Sequence, residues 1–388
     1  MTSHIRISPF IVFIILYCLL ASGNACMTLG PNLWIEFGVA VICFFYFYSK
    51  HAIKVTQRTL IASALFLLSS MYIVHGGSIP GYISKAMLVS LAVVLLNVKV
   101  DWRVDLWQHI SKWYSVLVAL SILTWLLHLV IPLPHVTTVA DMNDVPIHFH
   151  NYFFFRETMF NEYFLDYRMR FQGMFLEPGH MGTITAFFLI SNRFNFKNKG
   201  NIVFLFGALL TLSASAYLLV ALGYMSYMIT EGKGSKGFWA ILGLAIVVLF
   251  FLVYNHGDNV INELIFGKLT REEGALESRV SLEVLMLFEN MWSTGVDLWF
   301  GKGAFLELET PGSGFYLFFV YCGIVGTVLL LLAYYSIYFC CRSKYGFFMF
   351  LLYLVSFLQR TYPYWDAFSL PFILGLPFIL RETSMKRV

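Results

Sequence analysis

Apolar residues come in long runs along this chain, and polar residues are pushed into the gaps between them. The runs lie near 8–25, 32–49, 59–75, 81–97, 114–132, 178–192, 202–229, 238–254, 313–339, 345–359 and 366–380. A helix that crosses a bilayer needs roughly 20 mostly apolar residues. The pattern therefore predicts an all-α polytopic membrane protein of about 10–12 spanning helices. The segment from Asn97 to Tyr114 differs from the rest, with Trp102, Leu106, Ile110 and Trp113 at helical spacing between charged positions. It reads as a short helix lying on the membrane surface.

The gaps assign sides. Loops rich in Lys and Arg stay in the cytoplasm. Lys50, Lys54 and Arg58 mark one inner loop, Lys99, Arg103 and Lys112 a second, and Arg193, Lys197 and Lys199 a third. Lys233 with Lys236 and Arg342 with Lys344 mark two more, and both termini fall inside. The gaps "SGNACMTLGPN" and "HGGSIPG" carry no Lys or Arg and fall outside. So do two long loops, 133–177 and 255–312. The stretch 202–229 joins two inner loops, so it must cross twice or not at all, and it is too short for two full spans. Its centre, "LLTLSASAYLL", turns small and polar, which predicts two short helices meeting at Thr211–Ser215. Irregular backbone at that depth survives only where protein or a watery cavity surrounds it.

Composition agrees with this class and adds little to it. Of 388 residues, 59% are hydrophobic and 12% charged, against about a quarter charged in soluble domains. The net charge of +4 follows from the loop asymmetry and gives no ground for a nucleic-acid partner. Six cysteines sit mostly within apolar runs without zinc-ligand spacing, and read as packing residues. The N-terminus resembles a signal peptide, but so many spans follow that an uncleaved first helix is expected. With no linker, low-complexity tract or internal repeat, residues 1–388 are expected to form one membrane domain.

Candidate chemistry collects in the outer loops. "RMRFQGMFLEPGHMG", Arg168 to Gly182, sets two arginines, a glutamate and a histidine before an apolar run. Pro178 suits a first helical turn, and Glu177 at the helix N-terminus would be favoured by the helix dipole. Glu177 is therefore a cap, a reactive group or, as expected here, both, and Arg170 either a headgroup anchor or a ligand. In "ESRVSLEVLMLFENMW", Val280, Val284, Leu287, Phe288 and Met291 form one apolar stripe, with Arg279, Glu283 and Asn290 facing elsewhere. That predicts an amphipathic helix at the outer interface. His75 and His128, near the outer ends of apolar runs, read as satisfied core histidines. No Walker, HExxH or nucleophile-elbow motif is present. Neither outer loop holds an Asp-X-Asp pair, so no metal–diphosphate site is indicated. What remains is a set of arginines at the outer interface, and guanidinium groups recognise phosphate bidentately without losing charge.

The order of these features resembles the bacterial O-antigen and capsular polysaccharide polymerase (Wzy) family, within the O-antigen ligase/polymerase superfamily. The features that carry the resemblance lie between about 110 and 340. They are an outer loop ending in "RFQGMFLEPGHMG", the short-helix pair at "LLTLSASAYLL", and a second outer loop closing with "ESR", "WFGKGAF" and "SGFYLFFVYCGIVG". The resemblance implies a C-type glycosyltransferase (GT-C) fold in the bacterial inner membrane, its active site facing the periplasm or exterior. Such enzymes move a growing glycan from undecaprenyl pyrophosphate to the next lipid-linked repeat unit. The implied partners are that lipid-linked oligosaccharide, as donor and acceptor, the bilayer, and a chain-length regulator. No metal or cofactor is implied.

By the same resemblance, Arg170 and Arg279 would stabilise the leaving pyrophosphate, helped by Arg168 and Arg360. Glu177 would be the general base for the acceptor hydroxyl, with Glu277 in reserve, and His180 would orient substrate or pack. Ligases of the superfamily carry a histidine motif before the returning helix. This chain has "ETPGSGFY" there, and its His256 sits at the other end of the loop, which favours polymerase. A ligase and a polysaccharide flippase or transporter remain the alternatives.

Overall fold

The computed structural model describes residues 7–142, 145–159, 170–232, 281–303, 314–359 and 362–385. The run 238–254 and the loop section 255–280 lie outside these residues, as do Arg168, Glu277, Arg279 and Arg360. The described chain is mostly helical and divides into two compact units. One is drawn from Met1–Ser22, Gly30–Ile110 and Leu276–Val388, the other from Gly23–Leu29 and Ser111–Ala275.

The first unit holds α1 (Pro9–Ser22), α2 (Leu33–Ser49), α3 (Gln57–Tyr72), α4 (Ile79–Leu88) and α5 (Ser90–Leu96). The start of α6 (Val100–Val130) follows. Helix starts follow side-chain chemistry. Asn32 Oδ1 accepts from the N–H groups of Trp34 and Ile35 at 3.1 and 3.2 Å. Thr56 and Thr59 form a reciprocal capping box at the start of α3. The sequence gap at Asn97–Tyr114 does not make a separate surface helix. It runs on into the next apolar stretch as α6, 31 residues long. No Gly or Pro lies between Val100 and Val130, so nothing in the backbone stops the helix until Pro132.

Within the expected loop 255–312 the first unit resumes with α10 (Leu282–Met291) and α11 (Val296–Phe300). In the second unit, α7 (Pro178–Ser191), α8 (Lys199–Leu210) and α9 (Ala214–Thr230) come between. The first unit closes with α12 (Phe315–Cys340), α13 (Lys344–Gln359) and α14 (Asp366–Met385). The expected amphipathic helix is α10. Ser281 caps it, and its stripe residues Val284 and Met291 are buried against Phe319 and Val320 of α12, with Leu287 and Phe288 partly buried beside them. α12 packs along α3 and is kinked at Gly323, whose φ of 56° a side chain rarely adopts. The segment 301–303 docks on this kink through Lys302 N–H to Val320 O (2.8 Å) and Gly303 N–H to Tyr321 O (3.0 Å). A Cβ at Gly301 would fall 2.3 Å from the Tyr321 carbonyl oxygen, so the approach requires glycine.

Among the described residues α6 and α12 are long and apolar enough to cross a membrane alone. α4 and α5, bent by 46°, add a third if they form one span. Shorter apolar helices of 10–17 residues accompany them, among them α1, α2, α8 and α9.

The second unit corrects the all-α expectation. The segment 136–159, within the loop expected to lie outside, folds as an antiparallel sheet of β1 (Val136–Met142), β2 (Val145–Asn151) and β3 (Arg156–Met159), in that order. The register pairs Val136 with Asn151 and Asn151 with Arg156. Val136, Thr137, Thr138 and Val139 are β-branched and favour a pleated strand, and a long loop must still pair its backbone polar groups. The other half of this unit is α7 packed between α8 and α9. All 14 residues of α7 are buried. α8 and α9 meet at Thr211–Ser213, where the small polar centre of the run predicted a break.

Candidate functional site

The break between α8 and α9 is where Arg170 is held. Leu212 adopts a φ of 46°, uncommon for a side chain with a Cβ and typical of positions the surroundings hold in place. What holds it is the segment leading into α7. Phe171 N–H donates to Leu210 O at 3.0 Å. Arg170 donates through Nε to Thr211 O and through Nη2 to Leu212 O, both at 3.3 Å. These carbonyls belong to the C-terminal end of α8, which carries partial negative charge and favours a cation. Arg170 is thus anchored by backbone, with two of its five donors directed at carbonyls.

α7 reaches the same place from the other direction. A Cβ at Gly182 would lie 2.6 Å from Ala216 Cβ and 2.8 Å from Thr211 Oγ1, so its first turns sit directly on the break. Glu177 is the N-cap residue and Pro178 occupies the first turn, as the sequence indicates. The carboxylate, however, accepts no capping hydrogen bond, and the residue is exposed at the head of a fully buried helix. Its backbone carbonyl does the local work, accepting from His180 N–H at 3.1 Å and Met181 N–H at 3.3 Å. His180 is buried in that turn, 3% exposed. Of the residues proposed from sequence, Arg170 sits at the break and Glu177 and His180 lie in the first turn of α7, whose Gly182 packs on that break. Arg168, Arg279, Glu277 and Arg360 lie outside the described residues.

The sheet fixes the approach to this site. Arg156 N–H donates to Gly173 O at 2.8 Å, and Thr158 Oγ1 donates to Gln172 Oε1 at 3.1 Å. Arg156 itself donates to Asn151 Oδ1 at 2.7 Å and to Asn24 O at 3.0 Å, stitching the first short gap to β3. Burial lowers its pKa from the usual arginine value. Burial also pushes the nearby Cys26 thiol up to about 11, with the Arg156 charge pulling the other way.

Two groups escaped the sequence reading. The first is a trio behind the sheet. Tyr152 OH lies 3.1 Å from Glu157 Oε2 and 3.2 Å from His128 Nε2, and His128 Nε2 lies 3.5 Å from the same carboxylate oxygen. His128, read from sequence as a satisfied core histidine, is satisfied at Nε2 by the Tyr152 hydroxyl beside the buried Glu157. Tyr152 also lines an open pocket of about 460 Å³, with His135 and Asn151 among its other walls. Residues 24 apart in sequence gave no spacing signal. The second group is in the first unit, where Glu36 of α2 and Asp366 of α14 are 3% and 2% exposed. Each is a lone acid inside an apolar run, a signal of function that the loop-centred reading passed over.

Among the described residues no three His, Cys, Asp or Glu side chains are placed to hold a metal ion. The cysteines at 18, 26, 43, 322, 340 and 341 are free thiols, four of them buried. Comparison with protein-family models, with curated proteins and with solved structures finds no match. The class that the fold itself defines is a mostly helical protein whose apolar helices are compatible with membrane embedding.

Proposed function

We propose that the chain is a bacterial inner-membrane polymerase of the Wzy type, with a GT-C-like fold of 10–12 spans. It joins undecaprenyl-pyrophosphate-linked repeat units on the outer face of that membrane. What supports this reading is that Arg170 is anchored at the break between α8 and α9, and that Glu177, seven residues on, is exposed at the N-terminus of a buried helix. A helix N-terminus and a guanidinium together suit a phosphate-bearing leaving group. A carboxylate at that helix start takes the proton of an acceptor hydroxyl in this reading. The acceptor oxygen attacks the anomeric carbon, its proton passes to Glu177, and the bond to undecaprenyl pyrophosphate breaks. Charge growing on that phosphate is stabilised by prepositioned donors, Arg170 first and Arg279 and Arg168 from the outer loops. The pocket beside Tyr152, with aromatic and amide walls, is of a kind that suits a sugar ring.

The test is a polymer ladder in cells expressing point variants at equal level. Arg170→Ala and Glu177→Gln should leave single repeat units on the lipid. Normal chain length and yield in both variants would overturn the assignment. Full-length polymer accumulating on undecaprenyl pyrophosphate would indicate a ligase. A second reading, a proton- or cation-coupled transporter, draws on Glu36 and Asp366, since buried acids in apolar helices mark ion pathways. Elongation of a lipid-linked repeat unit by the purified full chain in detergent separates the two.

A further inference from the structure

Three gaps that the sequence treats as separate basic loops converge at one end of the first unit. Ile53 and Val98 form an antiparallel bridge, with Lys54 N–H to Asn97 O and Lys99 N–H to Ala52 O each at 2.8 Å. The third gap joins through Phe339, whose ring lies 5.2 Å from the Arg58 guanidinium carbon and 5.3 Å from that of Arg342. Between these loops is a pocket of about 460 Å³ lined by Lys54, Arg58, Lys99 and Arg103, together with the N-terminal turn of α3. Among the described residues no carboxylate lines it. Asp105, further along α6, is engaged instead by Arg381 at 3.7 Å.

Arg103 is the informative member. It is 3% exposed, yet its Nε has no hydrogen-bond partner, and its guanidinium reaches the Cys341 thiol rather than an acid. A buried cation without a counter-charge costs several kcal/mol unless something answers it. Three further cations in the same pocket raise that cost, and among the described residues no carboxylate in the pocket answers it. First-turn N–H groups of α3 add partial positive charge at the rim.

We propose that this pocket binds a phosphate group, and that in the membrane the group is the headgroup of an anionic phospholipid. Guanidinium forks match phosphate oxygens, and basic pockets between helix ends at a membrane surface take such headgroups. The proposal stands apart from the glycan polymerase reading and from its residues.

The experiment uses the full chain purified in detergent. Native mass spectrometry compares retention of phosphatidylglycerol with phosphatidylcholine of the same acyl chains, and thermal melting follows a titration with inorganic phosphate. Wild type should hold phosphatidylglycerol at least about tenfold more tightly than phosphatidylcholine. Arg58→Gln with Lys99→Gln, at exposed positions that leave the fold intact, should erase most of that preference; Arg103→Gln should do so alone if it folds. Saturable stabilisation by inorganic phosphate, lost in the double variant, with no lipid preference would keep the phosphate site and overturn the lipid source. Equal retention of both lipids with no response to phosphate overturns the proposal. So does an unchanged preference in the double variant.

Discussion

Arg170 and Arg103 are both drawn into the protein, and their surroundings are opposite in kind. Arg170 meets backbone carbonyls at the end of α8, and its charge is answered within the chain. Arg103 meets a thiol and shares its pocket with Lys54, Arg58 and Lys99. Like charges about 8 Å apart repel by roughly 0.5–2 kcal/mol, depending on how wet the site is. A carbonyl cradle therefore fixes an arginine as part of a frame, whereas a cluster of cations leaves a demand that only an incoming anion meets. The residue type is the same, and the neighbours set the role.

The comparison can be broken at several points. Glu177→Gln is expected to have the largest effect, lowering polymer formation by about 10²–10⁴-fold while the melting temperature of the purified chain stays within a degree or two. Its carboxylate caps nothing, so a large loss of stability would mean the residue is structural. Glu177→Asp separates the same roles, since a positioned base should not tolerate the shorter side chain. Arg170→Ala should cost about 10²–10³-fold in polymer yield and, unlike the first variant, about 1 kcal/mol of stability from the orphaned carbonyls. Equal melting curves for wild type and variant would remove the anchoring role.

Gly182→Val tests the break itself. The space is already closed by Ala216 and Thr211, so overpacking should lower stability by about 1–3 kcal/mol, read as a drop in melting temperature in detergent. Tyr152→Phe removes the hydroxyl between His128 and Glu157 and should cost about 1–2 kcal/mol by the same measurement. Smallest in energy is the effect at Cys26. With its pKa raised to about 11, its thiolate is scarce at pH 8, and alkylation there should run about 100-fold slower than for a thiol at 9.0. The rate should climb steadily as pH rises towards 11.

Much of the helical frame was legible from local pattern. Long apolar runs, the polar centre at Thr211–Ser215, Pro178 in a first turn and the stripe from Val284 to Met291 each depend on residues close in sequence. The structure places helices and a break there. Surface-helix spacing at Asn97–Tyr114 misled because amphipathic spacing does not say where a helix ends; α6 continues because nothing stops it. The sheet at Val136–Met159 was missed because a loop labelled only by its polarity hides β-branched alternation. For the candidate site, sequence named Arg170, Glu177 and His180 and expected Glu177 to be cap and base together; the cap half is not met, since its side chain makes no capping hydrogen bond.

What the sequence determined by itself is the set of helices, their apolar character and the concentration of charge in the gaps, since propensity and periodicity act over a few residues. Only tertiary structure decided that Arg170 meets carbonyls 41 and 42 residues away, that Glu177 is free of capping duty, and that three separate basic gaps enclose one pocket. Those outcomes depend on which helix ends are neighbours. Packing sets that neighbourhood over distances in sequence where no periodic signal survives.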